Sequence, residues 1–402
     1  MQKSEGAVIP MKNINYLLGN SNIENKPLEI YSFDACNFLS ELSSDILKSS
    51  VSRAYPDLTS VAFWCRKANI QKKKEQFGAL QNRLGRGLCF HIAPSNIPIN
   101  FIFSYFFGLL AGNSNIVRLP SKEFAQVDVL IEIIKKIITK YPEIEKRTAF
   151  IKYDRNNNEI TEKISKISDC RMIWGGDKTI AEIRSMQVKP RCIDMAFADR
   201  YSVCIIDGEK IIESDERTIN RLAENFYNDT YLMDQNACSS PQMIYWLNNN
   251  EKAHEKFWES VLKTAKNKYV LQDAVAVDKY TKLCEDAINN NNIIKSVEKF
   301  ENILYINKLN YINENVKNLR GKGGYFYEYS LNNFEEFLNI VDEKYQTVTY
   351  FGIDCELLVK DIIKYNIKGI DRIVPIGKAM DIDDIWDGYD IIRFLSRNIS
   401  VI

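Results

Sequence analysis

The 402-residue sequence lacks several signatures that would point directly to a function. It has no Gly-x-Gly-x-x-Gly turn, no Cys-x-x-Cys pair and no Cys/His cluster at zinc-site spacing, and it has only two histidines. Lys plus Arg and Asp plus Glu both number 53, so the formal net charge is zero. A basic surface for nucleic acid or anionic lipid is therefore not expected. The composition favours a globular protein whose substrate is held in a local pocket.

Targeting and disulfide signals are also missing. Residues 1–20 contain no continuous apolar segment of the kind found in signal peptides. The most apolar stretch, residues 97–111, is too short to span a bilayer and is interrupted by Asn100 and Ser104. The nine cysteines are scattered, as is typical of reduced thiols. We expect a cytoplasmic protein without a transmembrane segment, in which residues 97–111 form a buried helix or line a tunnel for an apolar chain.

Alternating strand and helix patterns predict an α/β fold with a doubly wound, mostly parallel sheet. One of the connecting helices is predicted to open at Pro120, with Ser121 as its N-cap. Ligands of such sheets bind at the carboxyl ends of the strands, so the turns there are the places to look for a site. Five short apolar segments are predicted as strands: residues 87–92, 115–119, 149–151, 171–174 and 201–206.

Two polar residues in predicted loops are candidates for catalysis. Cys238 lies among small and polar residues between a predicted helix and a predicted strand. A reachable thiolate there could act as a nucleophile, although a structural cysteine in a turn fits the same pattern. Asn96 follows the first predicted strand. Its amide could donate a hydrogen bond to an oxyanion, or its side chain could cap the apolar helix.

Two further turns are candidates for binding a nucleotide. The segment from Arg118 through Pro120 and Ser121 to Lys122 joins a strand end to a helix start and carries two cations, which suits a phosphate. A capped helix with solvated charges is the alternative. Gly175 and Gly176 lie between a strand and a helix, where glycines allow a backbone to approach a ligand closely or simply form a tight turn.

The order of these segments resembles that of the aldehyde dehydrogenase superfamily and, within it, the long-chain acyl-CoA reductases of the LuxC type. The similarity covers about residues 80–400. Residues 371–377 and 386–389 are similar to the closing segment of the acyl-CoA reductases and are its most specific part. The superfamily's oxyanion turn, its strand and turn beside the nucleotide, its Thr-Gly-Ser turn and its nucleophile loop resemble residues 92–98, 109–122, 174–179 and 236–238, respectively.

The resemblance implies an aldehyde-dehydrogenase-like fold in three parts. Residues 1–207 would hold an N-terminal region and a doubly wound NAD(P)-binding domain, and residues 208–368 an α/β catalytic domain. Residues 369–402 would form a closing or oligomerisation segment, and the chain would form a homo-oligomer. Cys238 would carry an acyl group as a thioester, with Asn96 in the oxyanion site. Arg118, Pro120, Ser121, Lys122, Gly175 and Gly176 would contact the cofactor.

The implied reaction is the reduction of a fatty acyl thioester to an aldehyde. The acyl donor would be acyl-CoA or a donor protein such as an acyl-protein synthetase. Reduction of an acyl phosphate and a non-redox acyl-carrier role remain alternatives. The resemblance implies a nicotinamide cofactor, and Lys122 stands where the superfamily has a ribose-binding Glu. An ammonium attracts a 2′-phosphate, so we expect NADPH in preference to NADH.

Two departures from the superfamily bear on the chemistry. Its Glu-Leu-Gly-Gly segment, which carries a base for hydrolysis, is replaced by residues 191–197, and the loss of that base suits a reductase. Asp194 lies in the replacement and is expected to be structural rather than a substitute base. His91 lies within a predicted strand and is expected to be a hydrogen-bonded core residue.

Overall fold

The structure is a computed structural model that describes residues 7–8, 13–78, 80, 82–94, 98–120 and 122–401. It divides into two compact units. The first unit comprises Met1–Ala198 together with Asp383–Ile402, and the second comprises Asp199–Ile382. Each unit is built on its own mostly parallel sheet with flanking helices.

Among its described residues, the first unit contains one six-stranded sheet and three two-stranded sheets. Its strands are β1 (Ala7–Val8), β2 (Asn15–Leu18), β3 (Asn22–Ile23), β4 (Arg83–Gly85), β5 (Leu88–Ile92), β6 (Ser114–Arg118), β7 (Thr148–Lys152), β8 (Cys170–Trp174) and β9 (Ile193–Phe197). Its helices are α1 (Phe33–Lys48), α2 (Pro56–Trp64), α3 (Lys67–Phe77), α4 (Asn100–Leu110), α5 (Ala125–Ile138), α6 (Pro142–Glu145), α7 (Asn158–Ile167) and α8 (Asp177–Arg184).

The six strands of the first sheet lie in the order β2-β7-β6-β5-β8-β9. All pairs are parallel except the antiparallel edge strand β2. The chain runs outward from β5 through β6 to β7, and then returns to the other side of β5 to form β8 and β9. The direction of winding therefore reverses between β5 and β8, which is the topological switch point where doubly wound sheets bind ligands.

The predicted apolar helix is α4, which is buried along its whole length. Trp64 stacks on Phe106 with ring centroids 5.5 Å apart, so the aromatic side chains of α4 are covered by a neighbouring helix. The face of α4 toward the sheet includes polar contacts: His91 bonds Ser104 Oγ through Nδ1 at 2.8 Å and Asn115 Oδ1 through Nε2 at 2.9 Å. Burial lowers the pKa of His91 to about 4, so it is neutral at physiological pH. The prediction of a core histidine is confirmed.

The second unit contains a seven-stranded sheet in the order β12-β13-β14-β11-β10-β15-β16. Only the edge strand β12 is antiparallel to its neighbour. The strands are β10 (Tyr201–Asp207), β11 (Pro241–Leu247), β12 (Ile294–Phe300), β13 (Leu304–Leu309), β14 (Tyr325–Ser330), β15 (Tyr345–Phe351) and β16 (Arg372–Pro375). The helices are α9 (Gly208–Glu213), α10 (Glu216–Asp229), α11 (Glu251–Lys268), α12 (Asp273–Asn289), α13 (Phe334–Leu338) and α14 (Cys355–Lys364).

The chain finally returns to the first unit through β17 (Ile385–Trp386), β18 (Tyr389–Asp390), α15 (Ile391–Leu395) and β19 (Ser396–Asn398). Strand β19 pairs antiparallel with β4. Strands β17 and β18 form a hairpin whose two turn residues, Asp387 and Gly388, both have positive φ. Asp-Gly is the residue pair that such a tight hairpin turn prefers.

Two predicted boundaries differ from the structure. The fifth predicted strand, expected in the first domain that ends at residue 207, is β10, which lies in the middle of the second unit's sheet because it pairs with β11 and β15. The expected closing segment 369–402 is also divided: residues up to 382 belong to the second unit and the rest to the first. Among the described residues, no helix is long and apolar enough to cross a membrane.

Candidate functional site

Two regions contain the residues expected to carry function, one in each unit. In the first unit, the region is the switch edge: the carboxyl ends of β5, β6 and β8 and the turns that follow them. In the second unit, it is the thiol loop, residues 234–240, which precedes β11.

The turn after β8 contains Gly175 and Gly176. Gly175 N–H donates to Phe197 O at 3.2 Å, so the turn is tied to the end of β9. Gly176 precedes α8 with φ −69° and ψ 162°, and a Cβ added there would meet no atom of the described residues within 4 Å. Neither glycine has the positive φ that would demand glycine for a backbone reason. The open space in front of Gly176 is compatible with the expected close approach of a ligand.

An aromatic stack covers the same turn. Trp174 lies face to face with Phe197, with ring centroids 3.7 Å apart and an interplanar angle of 11°. The indole N–H of Trp174 donates to Ser104 Oγ at 3.2 Å, which fixes the orientation of the ring. Tyr389, from the β17–β18 hairpin, meets Phe197 edge-on at 5.9 Å. Residues 386–389, which resemble part of the closing segment of the acyl-CoA reductases, therefore contribute a side chain that packs at the switch edge.

The expected phosphate-binding segment follows β6. The guanidinium of Arg118 lies over the ring of Tyr153 at 4.5 Å, and Lys122 is exposed with its ammonium 5.0 Å from the ring centre of Phe124. Pro120 is buried. Helix α5 begins at Ala125, with Phe124 in extended conformation before it. The prediction that this helix opens at Pro120 is therefore wrong.

Two expected residues, Asn96 and Ser121, lie outside the described residues. Their predicted roles remain predictions.

The role of Asp194 follows from its contacts within the first unit. Arg171, which is 1% exposed, donates to Asp194 through Nε at 2.7 Å and through Nη2 at 2.6 Å. The carboxylate neutralises a buried guanidinium, so the expected structural role is confirmed.

The thiol loop holds Cys238 half-buried. The loop begins with two consecutive non-glycine residues at positive φ, Asp234 (51°) and Gln235 (56°), a conformation that costs free energy and persists only when contacts enforce it. The carbonyl of Cys238 accepts a hydrogen bond from Ser202 Oγ at 2.6 Å, which ties the backbone of the thiol loop to the start of β10. The same hydroxyl accepts from Thr347 N–H on β15 at 3.2 Å.

Gln235 is the buried centre of the loop. Its Oε1 accepts from the backbone N–H groups of Gly324 (2.8 Å) and Tyr325 (3.0 Å), and its Nε2 donates to Tyr325 O at 3.2 Å. Gln242 donates to Gln235 O at 3.1 Å and accepts from Gly321 N–H at 2.8 Å. The two glutamine side chains therefore hold the turn of residues 321–324 against the loop that carries the thiol.

These positioning residues were not singled out from the sequence. The local sequence around Gln235 does not distinguish it from a surface glutamine. The sequence also does not indicate what the turn of residues 321–324 contacts. Its contact with the thiol loop arises because β11 and β14 are neighbours in the sheet, a long-range pairing that local periodicity does not reveal.

The fold of this chain is shared by aldehyde dehydrogenases of known structure. Aldehyde dehydrogenase 21 of Physcomitrella patens superposes with a TM-score of 0.59 at 11% identity, over 89% of this chain and 82% of that one. An NAD-dependent benzaldehyde dehydrogenase from Corynebacterium glutamicum gives 0.58 at 12% identity, over 91% and 82%. A 1-pyrroline-5-carboxylate dehydrogenase from Thermus with bound NAD gives 0.62 at 12% identity, over 92% and 81%. The expected aldehyde-dehydrogenase-like α/β fold is confirmed.

Within that class the family is also shown. Residues 31–304 match the family described as acyl-CoA reductase (LuxC), and the chain belongs to this family. The long-chain acyl-protein thioester reductase of Photorhabdus luminescens is 22% identical over 326 residues, which are 79% of this chain and 63% of that protein. The corresponding protein of Aliivibrio fischeri is 22% identical over 41% of this chain and 33% of that protein. The chain thus spans less than two thirds of the length of these relatives.

Proposed function

We propose that the protein reduces a fatty acyl thioester to an aldehyde through an acyl-Cys238 intermediate, with NADPH as reductant. The observation that carries the proposal is the thiol loop of a chain in the acyl-CoA reductase (LuxC) family. Its half-buried Cys238 accepts a hydrogen bond from Ser202 at the backbone carbonyl, and Gln235 holds the loop against the turn of residues 321–324. The relatives are named long-chain acyl-protein thioester reductases, which favours a long acyl chain delivered by a protein or by CoA.

The chemistry assigned to the chain is nucleophilic. The Cys238 thiolate attacks the acyl carbonyl, the bond to the donor sulfur breaks, and the donor leaves as a thiolate. Asn96 and the backbone N–H of Cys238 donate to the oxygen of the tetrahedral intermediate. The chemistry that NADPH would supply when bound is a hydride for the carbonyl carbon of the acyl-Cys238 thioester, which would give a thiohemiacetal. Collapse of the thiohemiacetal breaks the carbon–sulfur bond, releases the aldehyde and restores the Cys238 thiolate.

The switch edge is assigned to the cofactor. Two of the solved neighbours are described as NAD-dependent or as having NAD bound, which supports a nicotinamide cofactor here. No atom of the described residues would meet a Cβ at Gly176, at the start of α8. Lys122 is an exposed cation in the turn after β6, which β5 separates from β8 in the sheet. These features fit a dinucleotide, and the ammonium of Lys122 favours a 2′-phosphate.

The contacts of Asp194 support reduction over hydrolysis. A hydrolytic member of the superfamily needs a base that activates water, and Asp194 is the acidic residue in the segment that replaces that base's motif. Its two oxygens accept hydrogen bonds from the buried guanidinium of Arg171, so the carboxylate serves as the partner of that charge. An acyl-Cys238 thioester that is protected from water remains available for hydride transfer.

The test is intact-protein mass spectrometry after incubation with a long-chain acyl-CoA, with and without NADPH. The variants are wild type, Cys238→Ala and, as a matched control, Cys284→Ala, which removes an exposed thiol from α12 of the same unit. We expect one acyl adduct in wild type and in Cys284→Ala, none in Cys238→Ala, and its loss with release of aldehyde when NADPH is added.

Other outcomes would redirect the assignment. An adduct that persists in NADPH contradicts the reductase and favours a non-redox acyl carrier. If no acyl-CoA gives an adduct, the same experiment is repeated with an acyl phosphate and with an acylated donor protein. Full aldehyde production by Cys238→Ala overturns the covalent mechanism.

A further inference from the structure

The segment after β16 folds back as a strap, defined here as residues 377–381. Its carbonyl groups face Arg372, which donates through Nη1 to Ala379 O at 3.0 Å and through Nη2 to Lys378 O at 3.2 Å and Asp381 O at 3.0 Å. Its amide groups face Asp229: Gly377 N–H donates to Oδ2 at 2.6 Å and Ala379 N–H to Oδ1 at 3.0 Å. One guanidinium and one carboxylate thus engage the strap's backbone.

Asp229 also contacts the thiol loop. It is the last residue of α10 and is 1% exposed. Its backbone carbonyl accepts from Ser240 Oγ at 2.8 Å, two residues beyond the thiol. The neighbouring Ser239 hydroxyl donates to the sulfur of Met380 on the strap at 3.6 Å. The main chain of Asp229 therefore holds the loop, and its side chain holds the strap that touches the loop.

The two amide groups explain why the residue is an aspartate. Only a carboxylate offers two equivalent acceptor oxygens, since the nitrogen of an asparagine would point its own N–H at a backbone N–H. Burying this carboxylate has a cost, because burial raises the pKa of Asp229 to about 7. The charged groups that act on it are Asp381, which raises the pKa, and Arg372, which lowers it. If Asp229 served only to end α10, an uncharged residue at this position would make the folded state more stable.

We propose that Asp229 is a positioning residue for Cys238, which fixes the strap against the thiol loop and thereby sets the reactivity of the thiol. The inference rests on the proposed function for its catalytic meaning, but the restraint on the thiol exists without substrate. Local release of the strap opens the loop and exposes Cys238 to small reagents, while the precise geometry for acyl transfer is lost.

The test compares Asp229→Ala and Asp229→Asn with Glu328→Gln. Glu328 is a matched control because it is also a buried carboxylate of the second unit (2% exposed) that accepts two N–H groups, from Trp246 at 3.0 Å and Trp258 at 2.8 Å. The substrate-free measurement is the rate of alkylation of Cys238 by iodoacetamide relative to exposed Cys284, read by peptide mass spectrometry. The second measurement is the rate of acyl adduct formation with a long-chain acyl-CoA.

We expect Asp229→Ala to raise the Cys238/Cys284 alkylation ratio about threefold or more and to slow acyl transfer roughly tenfold, because a loosened loop is more accessible but less well oriented. Asp229→Asn keeps one acceptor and should move both readouts less, and it replaces the alanine variant if that fails to fold. An alkylation ratio that is unchanged or lowered in both variants, or raised equally in Glu328→Gln, overturns the proposal. Absence of any acyl adduct in wild type would instead contradict the proposed function and leave the alkylation result to decide the role of Asp229.

Discussion

The switch edge and the thiol loop are held in place by different means. At the switch edge, backbone turns follow parallel strands, and the described side-chain contacts include the stack of Trp174 on Phe197, the hydrogen bond from Trp174 to Ser104 and the guanidinium of Arg118 over Tyr153. The thiol loop is instead held by buried polar side chains, chiefly Gln235, Gln242 and Asp229, which bond backbone groups far away in the sequence. The first kind of site follows from the topology of the sheet. The second depends on individual residues, so single substitutions should affect the two regions unequally.

The largest effect is expected for Gln235→Ala. The substitution leaves the N–H groups of Gly324 and Tyr325 without their acceptor and removes support from a loop that starts with two strained residues. We expect a loss of about 3 kcal/mol in the free energy of unfolding and of roughly 100-fold in the acyl-transfer rate. Chemical denaturation and single-turnover mass spectrometry measure these two quantities. Gln126→Ala, at a partly exposed glutamine of the first unit, is the control. If Gln235→Ala and Gln126→Ala lowered stability and the acyl-transfer rate equally, the thiol loop would not depend on individual side chains more than the first unit does.

Next in size is a pH dependence from Asp229. The pKa of this carboxyl is raised from its ordinary value of 3.8 to about 7, chiefly by burial. Between these values the folded state binds a proton that the unfolded state does not, so stability falls as pH rises through this window. From pH 5 to pH 8 we expect this group to lower the free energy of unfolding by on the order of 2 kcal/mol.

The measurement is urea unfolding at both pH values for wild type and Asp229→Asn, which cannot titrate. The difference in stability between the two proteins should itself change with pH in that direction. A constant difference would mean that Asp229 keeps the same ionisation in the folded and unfolded states.

A smaller effect is expected at the switch edge from Lys122→Glu. The substitution exchanges an exposed cation for a carboxylate, which repels a 2′-phosphate and can bind a ribose hydroxyl. We expect the preference for NADPH over NADH to shift toward NADH by about tenfold, with thermal stability unchanged. Titration of both cofactors by fluorescence, with Lys135→Glu on the exposed face of α5 as the control, measures the shift. An unaltered preference would place the 2′-phosphate elsewhere.

The smallest effect on the fold is expected for Gly176→Ala. An added Cβ would meet no atom within 4 Å in the part of the chain that the structure describes, and the φ of −69° is accessible to alanine, so the melting temperature should stay nearly constant. Cofactor affinity should nevertheless fall several-fold if a dinucleotide approaches this backbone closely. Gly108→Ala is the contrasting variant, because its Cβ would lie 2.0 Å from Asn115 Oδ1 and should destabilise the fold. Unchanged cofactor affinity in Gly176→Ala would remove this residue from the binding site.

The predicted strands of the first sheet agree with the structure to within two residues. The segments predicted at 87–92, 115–119, 149–151 and 171–174 correspond to Leu88–Ile92, Ser114–Arg118, Thr148–Lys152 and Cys170–Trp174. They could be found because short apolar runs between turn residues are a local signal. The start of α5 could not, because Pro120 and Ser121 fit a helix cap as well as the extended turn that precedes Ala125.

By itself, the sequence determined the α/β class, the likeness to acyl-CoA reductases and the choice of Cys238, because these depend on local periodicity and on the order of short motifs. Only the tertiary structure decided that β10 belongs to the second sheet, that Asp194 neutralises Arg171, and that Asp229 holds both the strap and the thiol loop. Each of these depends on hydrogen bonds between residues that are distant along the chain. Such partners are selected by strand order and burial, and no local pattern of residues encodes them.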